Sequence, residues 1–268
     1  MNSSFEFLTK DYFLLQNFLY LFLVFSVITF LRYIVLSKIY ITHVYDKIAS
    51  LQPQRILSKI CPTDQRNKEI LWSGISSFIF GIIGVVMIMM WQYGYTNIYS
   101  QWSDYPLWYI PVSAIVAFLI HETYYYWLHR WLHHPKIYRY IHKIHHDSID
   151  TSVWTSFSFH PIESILQALI IPLIAILIPL HIYVLMVLLV IMTISAIINH
   201  AGVEIFPSYA HQHPIWKQFI GATHHDLHHR RFVYNYGLYF TFWDRWMDTE
   251  VEQYDQIFEQ IAQKKGDT

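Results

Sequence analysis

Leu71 to Trp91 reads LWSGISSFIFGIIGVVMIMMW and contains no ionisable side chain. A helix of about 20 apolar residues crosses the roughly 30 Å hydrocarbon core of a bilayer, so this stretch reads as a membrane span. The whole composition agrees. With 54% hydrophobic, 18% aromatic and 14% charged residues, the 268-residue chain is too apolar for an ordinary soluble domain. Working outward, Asn17 to Leu36 reads as a second span, whose one charge, Arg32, sits near the end where it can snorkel to the headgroups. That span has neither the basic start nor the small-residue cleavage site of a signal peptide. A third runs from about Leu107 into His121. The uncharged stretch Ser164 to Asn199 exceeds one span and is interrupted by Pro179 and His181, which predicts a short helical hairpin over 162–200.

Basic residues set the expected orientation. Lys38, Lys47, Arg55, Lys59, Arg66 and Lys68 lie between the first two spans, and Gln92 to Tyr105 has none, so the first loop is expected in the cytosol. Counting spans then places 129–160 and everything after His200 on that side. The expected architecture is an all-α membrane protein of four to five hydrophobic helices, hairpin included, under a cytosolic histidine-rich helical cap. Residues 1–120 would be N-terminal transmembrane helices, 121–250 the histidine-bearing region, and 251–268 a polar, fraying C-terminal tail. The net charge of -1 and the lack of a long basic run exclude a nucleic-acid surface. The lone Cys61 excludes an intramolecular disulfide framework and a cysteine zinc ribbon.

Seventeen histidines are the anomaly, and most lie between His121 and His229. Three clusters stand out: HRWLH from His129 to His133, HKIHH from His142 to His146, and HDLHH from His225 to His229. On a helix, positions i, i+3 and i+4 share a face, so each cluster is expected to offer two or three imidazoles to one point. Imidazole suits iron, zinc, copper or nickel and not magnesium or calcium. Eight clustered ligands exceed the four of one tetrahedral site and call for two metals. His121 is a marginal member, about 80° round from His129 on the same helix. Isolated His43, His181, His211 and His213 read as hydrogen-bonded packing residues. His121-Glu122 opens a metalloprotease-like motif, but Tyr125 stands where its second histidine belongs. A metal-handling protein or transporter using the same clusters is the alternative, though no internal repeat supports transport.

With these residues, the sequence resembles the fatty acid hydroxylase and sterol desaturase superfamily, which includes sterol C4-methyl oxidases and C5-desaturases. The likeness covers roughly His121 to Thr249 and includes the links Phe159-His160-Pro161-Ile162-Glu163, Asn199-His200-Ala201-Gly202, Asn235-Tyr236-Gly237 and Phe242-Trp243-Asp244-Arg245. The ending Trp246-Met247-Asp248-Thr249 departs from the Phe-Gly-Thr often found in the family. The resemblance implies two iron ions, with zinc as a substitute in isolated protein, held by His129, His133, His142, His145, His146, His225, His228 and His229, and by His200 as a further ligand. It implies O2 as co-substrate and hydroxylation or desaturation of a lipid C–H bond. His224 would relay protons, orient a neighbour or ligate. Glu122 would orient a ligand imidazole; Asp147, Asp226 and Asp244 would do the same or be solvated. Trp154, Phe157, Phe159 and Tyr124 to Trp127 are expected to line an apolar access or to form an interfacial belt. With no cytochrome b5-like stretch, electrons are expected from a separate cytochrome b5-, ferredoxin- or flavin-reductase-like protein. Lys136, Arg139, Lys143, Arg230 and Arg231 make the histidine face basic. The membrane would be the endoplasmic reticulum or a bacterial inner membrane.

Overall fold

The computed structural model describes residues 10–45, 56 and 61–263. Lys47, Arg55 and Lys59 of the expected basic loop, and the tail after residue 263, lie outside the described residues. The fold is almost wholly helical: α1 Leu15–Ile39, α2 Thr63–Gln92, α3 Tyr109–Leu132, α4 Pro135–Ile141, α5 Lys143–His146, α6 Pro161–Ala168, α7 Ile170–Leu177, α8 Ile182–His200, α9 Ala222–Arg231, α10 Phe242–Trp246 and α11 Tyr254–Gln263. The only strand pairing among the described residues joins β1, Ile98–Tyr99, in parallel to β2, Leu180–His181.

Three helical segments are long and apolar enough to cross a membrane: 15–44, 63–92 and 182–200. Their outward faces carry apolar rows at helical spacing, such as Leu19, Leu23, Val27, Leu31 and Val35 on α1 and Phe78, Ile82 and Val86 on α2. The expected third span is the apolar half of α3, which exposes Val112, Ile115 and Leu119 before His121, Glu122 and a tyrosine run dilute it. The hairpin is less even than its sequence suggested. Its first limb is broken into α6 and α7, because Pro172 has no N–H to donate to the Ala168 carbonyl. Its second limb, α8, is a full-length helix, and His181 caps it by accepting from the Tyr183 amide at 3.2 Å. β1–β2 ties the loop after α2 to the turn before α8, and this marks the end of the bundle away from the histidines.

α1 and α2 meet at small residues. A Cβ on Gly81 would lie 2.2 Å from Ser26 Oγ and 3.1 Å from the Phe22 carbonyl, so only glycine allows this approach. At its cytosol-expected end α2 presents Glu69, 2% exposed. The carboxylate accepts from Ser148 Oγ (2.6 Å), Ser152 Oγ (2.7 Å) and Thr155 Oγ1 (2.9 Å), which clamps the segment after α5 to α2. α8 and α1 close on that segment through Tyr33, Trp154, Phe157 and Ile197. The C-terminal stretch departs from the expected fraying tail. Tyr254, Phe258 and Ala262 recur every four residues and bury against Leu227 of α9, so α11 is a docked amphipathic helix.

Substituting Gly81→Leu should force α1 off α2 at a cost of about 1–3 kcal/mol. Thermal unfolding of detergent-solubilised protein would register this as a lower midpoint, and an unchanged midpoint would show that the two helices do not meet there.

Candidate metal centre

The clusters converge, but not one cluster to one point. His129, His133, His142, His146 and His228 form a first group whose candidate ligand atoms all lie within 4.8 Å of one another; His145, His200, His225 and His229 form a second within the same limit. Helix geometry explains the partition. Residues i and i+4 differ by about 40° and stay together, as His142 with His146 and His225 with His229 do; the i+3 residue is displaced about 60° the other way. His145 therefore leaves its neighbours for the second group, and His228 leaves its neighbours for the first. All are buried except His133, which is partly so.

The hydrogen bonds fix which ring nitrogen faces inward. The Nδ1–H of His129 donates to the Tyr236 carbonyl (2.8 Å), that of His228 to the Tyr234 carbonyl (2.7 Å), that of His200 to the Ala196 carbonyl (2.7 Å) and that of His145 to the Ser158 carbonyl (3.4 Å). A carbonyl oxygen only accepts, so the proton is on Nδ1 and Nε2 is left with a bare lone pair. Yet the Nε2 atoms face one another: His200 to His145 at 3.2 Å, His200 to His225 at 2.9 Å, and His228 to both His133 and His146 at 3.1 Å. Lone pairs at that separation repel unless a proton or a metal ion lies among them. Burial first, and the neighbouring imidazoles second, push His145, His146, His225 and His229 well below the ordinary histidine range, which disfavours protonation. Two nitrogens about 2.1 Å from one ion stand about 3 Å apart when at right angles, so the donor sets fit two metal ions. Nitrogen-only sets fit a transition metal and not magnesium or calcium.

Buried carboxylates hold the ligands in place. Glu163 Oε1 receives the Nδ1–H of His142 at 2.8 Å, the two side chains being 0% and 1% exposed. This carboxylate–imidazole pair fixes the tautomer and strengthens the ligand. In the sequence Glu163 ends the Phe159–Glu163 link and is the one charge entering an otherwise uncharged hairpin. Glu122 departs from its expected task. Its oxygens accept the Leu238 and Tyr239 amides (3.0 and 2.8 Å) and no imidazole, so it acts on the loop whose Tyr236 carbonyl orients His129. Asp244 grips the same loop through the Tyr236 and Gly237 amides, both at 2.8 Å, and burial raises it to about 6. Glu204, unmarked in the sequence, accepts from the Thr223 amide (2.9 Å) in the first turn of α9, a favourable place for a carboxylate at a helix start. A Cβ on Gly221 would come within 2.6 Å of Glu204 Oε1.

Other expectations resolve differently. His224 lies outside both groups, 3.7 Å from Asp244 Oδ2 and edge-on to Tyr254; burial lowers it to about 3. His121 is also outside both, its ring 5.2 Å from that of Tyr239. Asp226 pairs with Arg230, which also reaches Asp150, and Asp147 pairs with Lys143, so none of these orients a ligand. His43, His211 and His213 bond only to local groups, and His134 and His160 cap α4 and α6. Phe159 stacks 5.0 Å from His145, whereas Trp154 and Phe157 belong to the core against α1. The apolar cavity, about 270 Å³, is instead lined by Phe118, Ile191, Ile198, Phe219, Leu238 and Tyr239.

Two outcomes follow. Each buried histidine stays neutral in the fold while its unfolded counterpart protonates near 6.5, so the unfolded state binds more protons below that pH. The metal-free protein should lose about 1.4 kcal/mol of stability per such histidine for each pH unit below 6.5. Thermal unfolding one unit above and one unit below that value checks this; equal midpoints would contradict neutral imidazoles. Glu163→Gln should weaken metal binding about 10–100-fold in a chelator competition, and unaltered affinity would remove Glu163 from the site.

Residues 114–249 match the family described as Fatty acid hydroxylase. The chain is 33% identical to the lathosterol oxidase of Rattus norvegicus over 205 residues, which is 75% of this chain and 64% of the rat protein's length. It is 30% identical to the Delta(7)-sterol 5(6)-desaturase of Eremothecium gossypii over 256 residues, 94% of this chain and 69% of that protein. No solved structure matches. The matched segment runs from the middle of α3 past α10 and leaves no histidine of either group outside it, and so the chain belongs to the fatty acid hydroxylase family.

Proposed function

We propose that this is a membrane-bound two-metal oxidase that uses O2 and external electrons to remove hydrogen from a C–H bond of a lipid, with iron as the metal and a sterol as the first substrate to test. The facing bare Nε2 atoms of His145 and His200, 3.2 Å apart with both Nδ1 protons already given to carbonyls, are the observation that carries the metals. Sterol oxidation enters from the names of the relatives, and desaturation is favoured over hydroxylation on the same ground. When bound, the irons supply the one-electron and O2 chemistry that no side chain here could.

The chain's own work is placement and exclusion. Nine imidazoles would hold the ions, and the Nδ1–H bonds of His129, His145, His200 and His228 to carbonyls and of His142 to Glu163 keep those five rings from turning. Glu122 and Asp244 fix the loop 236–239, whose carbonyl orients His129 and whose Leu238 and Tyr239 side chains line the apolar cavity. Asn199, beside His200, donates to the Leu238 carbonyl at 2.8 Å and also lines that cavity. The cavity adjoins His200 through Asn199 and the loop that orients His129 through Leu238 and Tyr239, so an apolar molecule lying there would exclude water beside the histidine groups. Positive-inside bias favours a cytosolic position for the histidine face, where a separate electron-transfer protein would dock on Lys136, Arg139 and Arg231.

Purified protein should hold about two irons per chain. A host expressing it and supplied with a Delta(7)-sterol should accumulate a desaturated product, and His145→Ala should abolish that product while leaving the protein in the membrane. Undiminished product from His145→Ala would sink the reading. Zinc in place of iron after purification would reflect its stronger affinity for such ligands.

A further inference from the structure

An unbroken row of Tyr and Trp rings leads from the first histidine group to the protein surface. The ring of Tyr236 lies 5.3 Å from His133 and 5.7 Å from both His129 and His228. Tyr126, fully buried, is next at 6.1 Å and stacks on Trp243 at 5.7 Å with 18° between planes. Trp243 meets Trp246 at 5.5 Å, and Trp246 is 66% exposed. Trp127, 46% exposed, flanks Tyr126 at 5.4 Å and Trp243 at 5.6 Å, giving a second way out. Both of these ways out pass through Tyr126, and Tyr138, partly exposed and 5.5 Å from His133, is a separate one that does not.

Tyr126 is also furnished for losing a proton together with an electron. The Thr249 hydroxyl donates to Asp244 Oδ1 at 2.8 Å, so its oxygen is free to accept the Tyr126 hydroxyl at 2.9 Å. A buried tyrosine whose proton can pass through a hydroxyl to a carboxylate differs from one that merely fills space.

We infer that Tyr126, Trp243 and Trp246, with Tyr236 as the bridge, form a relay that carries oxidising equivalents away from the metal centre when it is activated without a lipid in place. The inference rests on the oxidase reading above. In the first step Tyr126 yields one electron through the Tyr236 ring to the oxidised centre. Its phenolic proton moves to Thr249 as the Thr249 proton moves to Asp244, leaving a neutral tyrosyl radical and a protonated carboxyl. Trp243 then returns an electron to Tyr126, Asp244 returns the proton by the same path, and Trp246 refills Trp243. At the surface a soluble thiol gives one electron and its proton, restoring Trp246 and becoming a thiyl radical while the proton enters solvent. The benefit is protection of ligand histidines, which would otherwise be the nearest oxidisable groups.

The test uses full-length, iron-loaded protein, chemically reduced and exposed to O2 without lipid. Organic radicals are followed by electron paramagnetic resonance, and oxidised positions by peptide mass spectrometry. Wild type should show a tyrosyl signal, with oxygen added chiefly at Trp246 and Trp127. Tyr126→Phe, which keeps the ring and its stacking, should weaken the signal severalfold and move oxidation severalfold from those tryptophans to the ligand histidines. Thr249→Val, which keeps every ring and removes the hydroxyl through which the proton passes, should do the same. If wild type oxidises itself and both variants give its pattern, the relay is overturned and the oxidase reading stands. If O2 is not consumed and no residue is oxidised in any of the three, both fall.

Discussion

Imidazole nitrogens that carry lone pairs do not stay about 3 Å apart in a dry interior without a cation among them. That constraint organises the cap of this protein. The carbonyls of Ser158, Ala196, Tyr234 and Tyr236 each take an Nδ1–H and thereby turn an Nε2 inward. Burial keeps the rings neutral, and metal bound among them would offset the cost of gathering nine. The remaining polar architecture supports this arrangement. Glu69 anchors the segment that supplies the Ser158 carbonyl, Glu122 and Asp244 anchor the loop that supplies that of Tyr236, and Glu204 seats the first turn of α9.

What could be read from the sequence divides along a physical line. Signals that live within one helix were legible: the uncharged run of α2, the i, i+4 pairs His129/His133, His142/His146 and His225/His229, and the break before α8. Distribution between the two groups was not, because it depends on the 60° displacement of an i+3 residue and on which neighbour that residue meets. The carboxylates were harder still. Glu122 binds amides 116 and 117 positions away and Glu69 binds hydroxyls about 80 positions away, so no local pattern announces them. The family resemblance assigns Glu122 to an imidazole, and the fold gives it a backbone loop instead.

The same division explains the C-terminal helix and the aromatics. α11 looks polar by composition, and only the register of Tyr254, Phe258 and Ala262 against Leu227 makes it part of the cap. The aromatics nearest the histidines in sequence, Trp154 and Phe157, proved to be the joint with α1, whereas those lining the cavity come from α3, the loop before α9 and the loop after it. A cavity assembled from four separate segments leaves no trace in any one of them.

α5 and α9 each serve both groups: His146 and His145 sit side by side on one, His228 and His229 on the other, and the members of each pair belong to different groups. A short rod gripping two axles cannot be adjusted at one without disturbing the other. A first metal ion bound there would set the rotation of both helices and present the second site already formed, so the pair would fill as a unit and half-filled protein would be scarce.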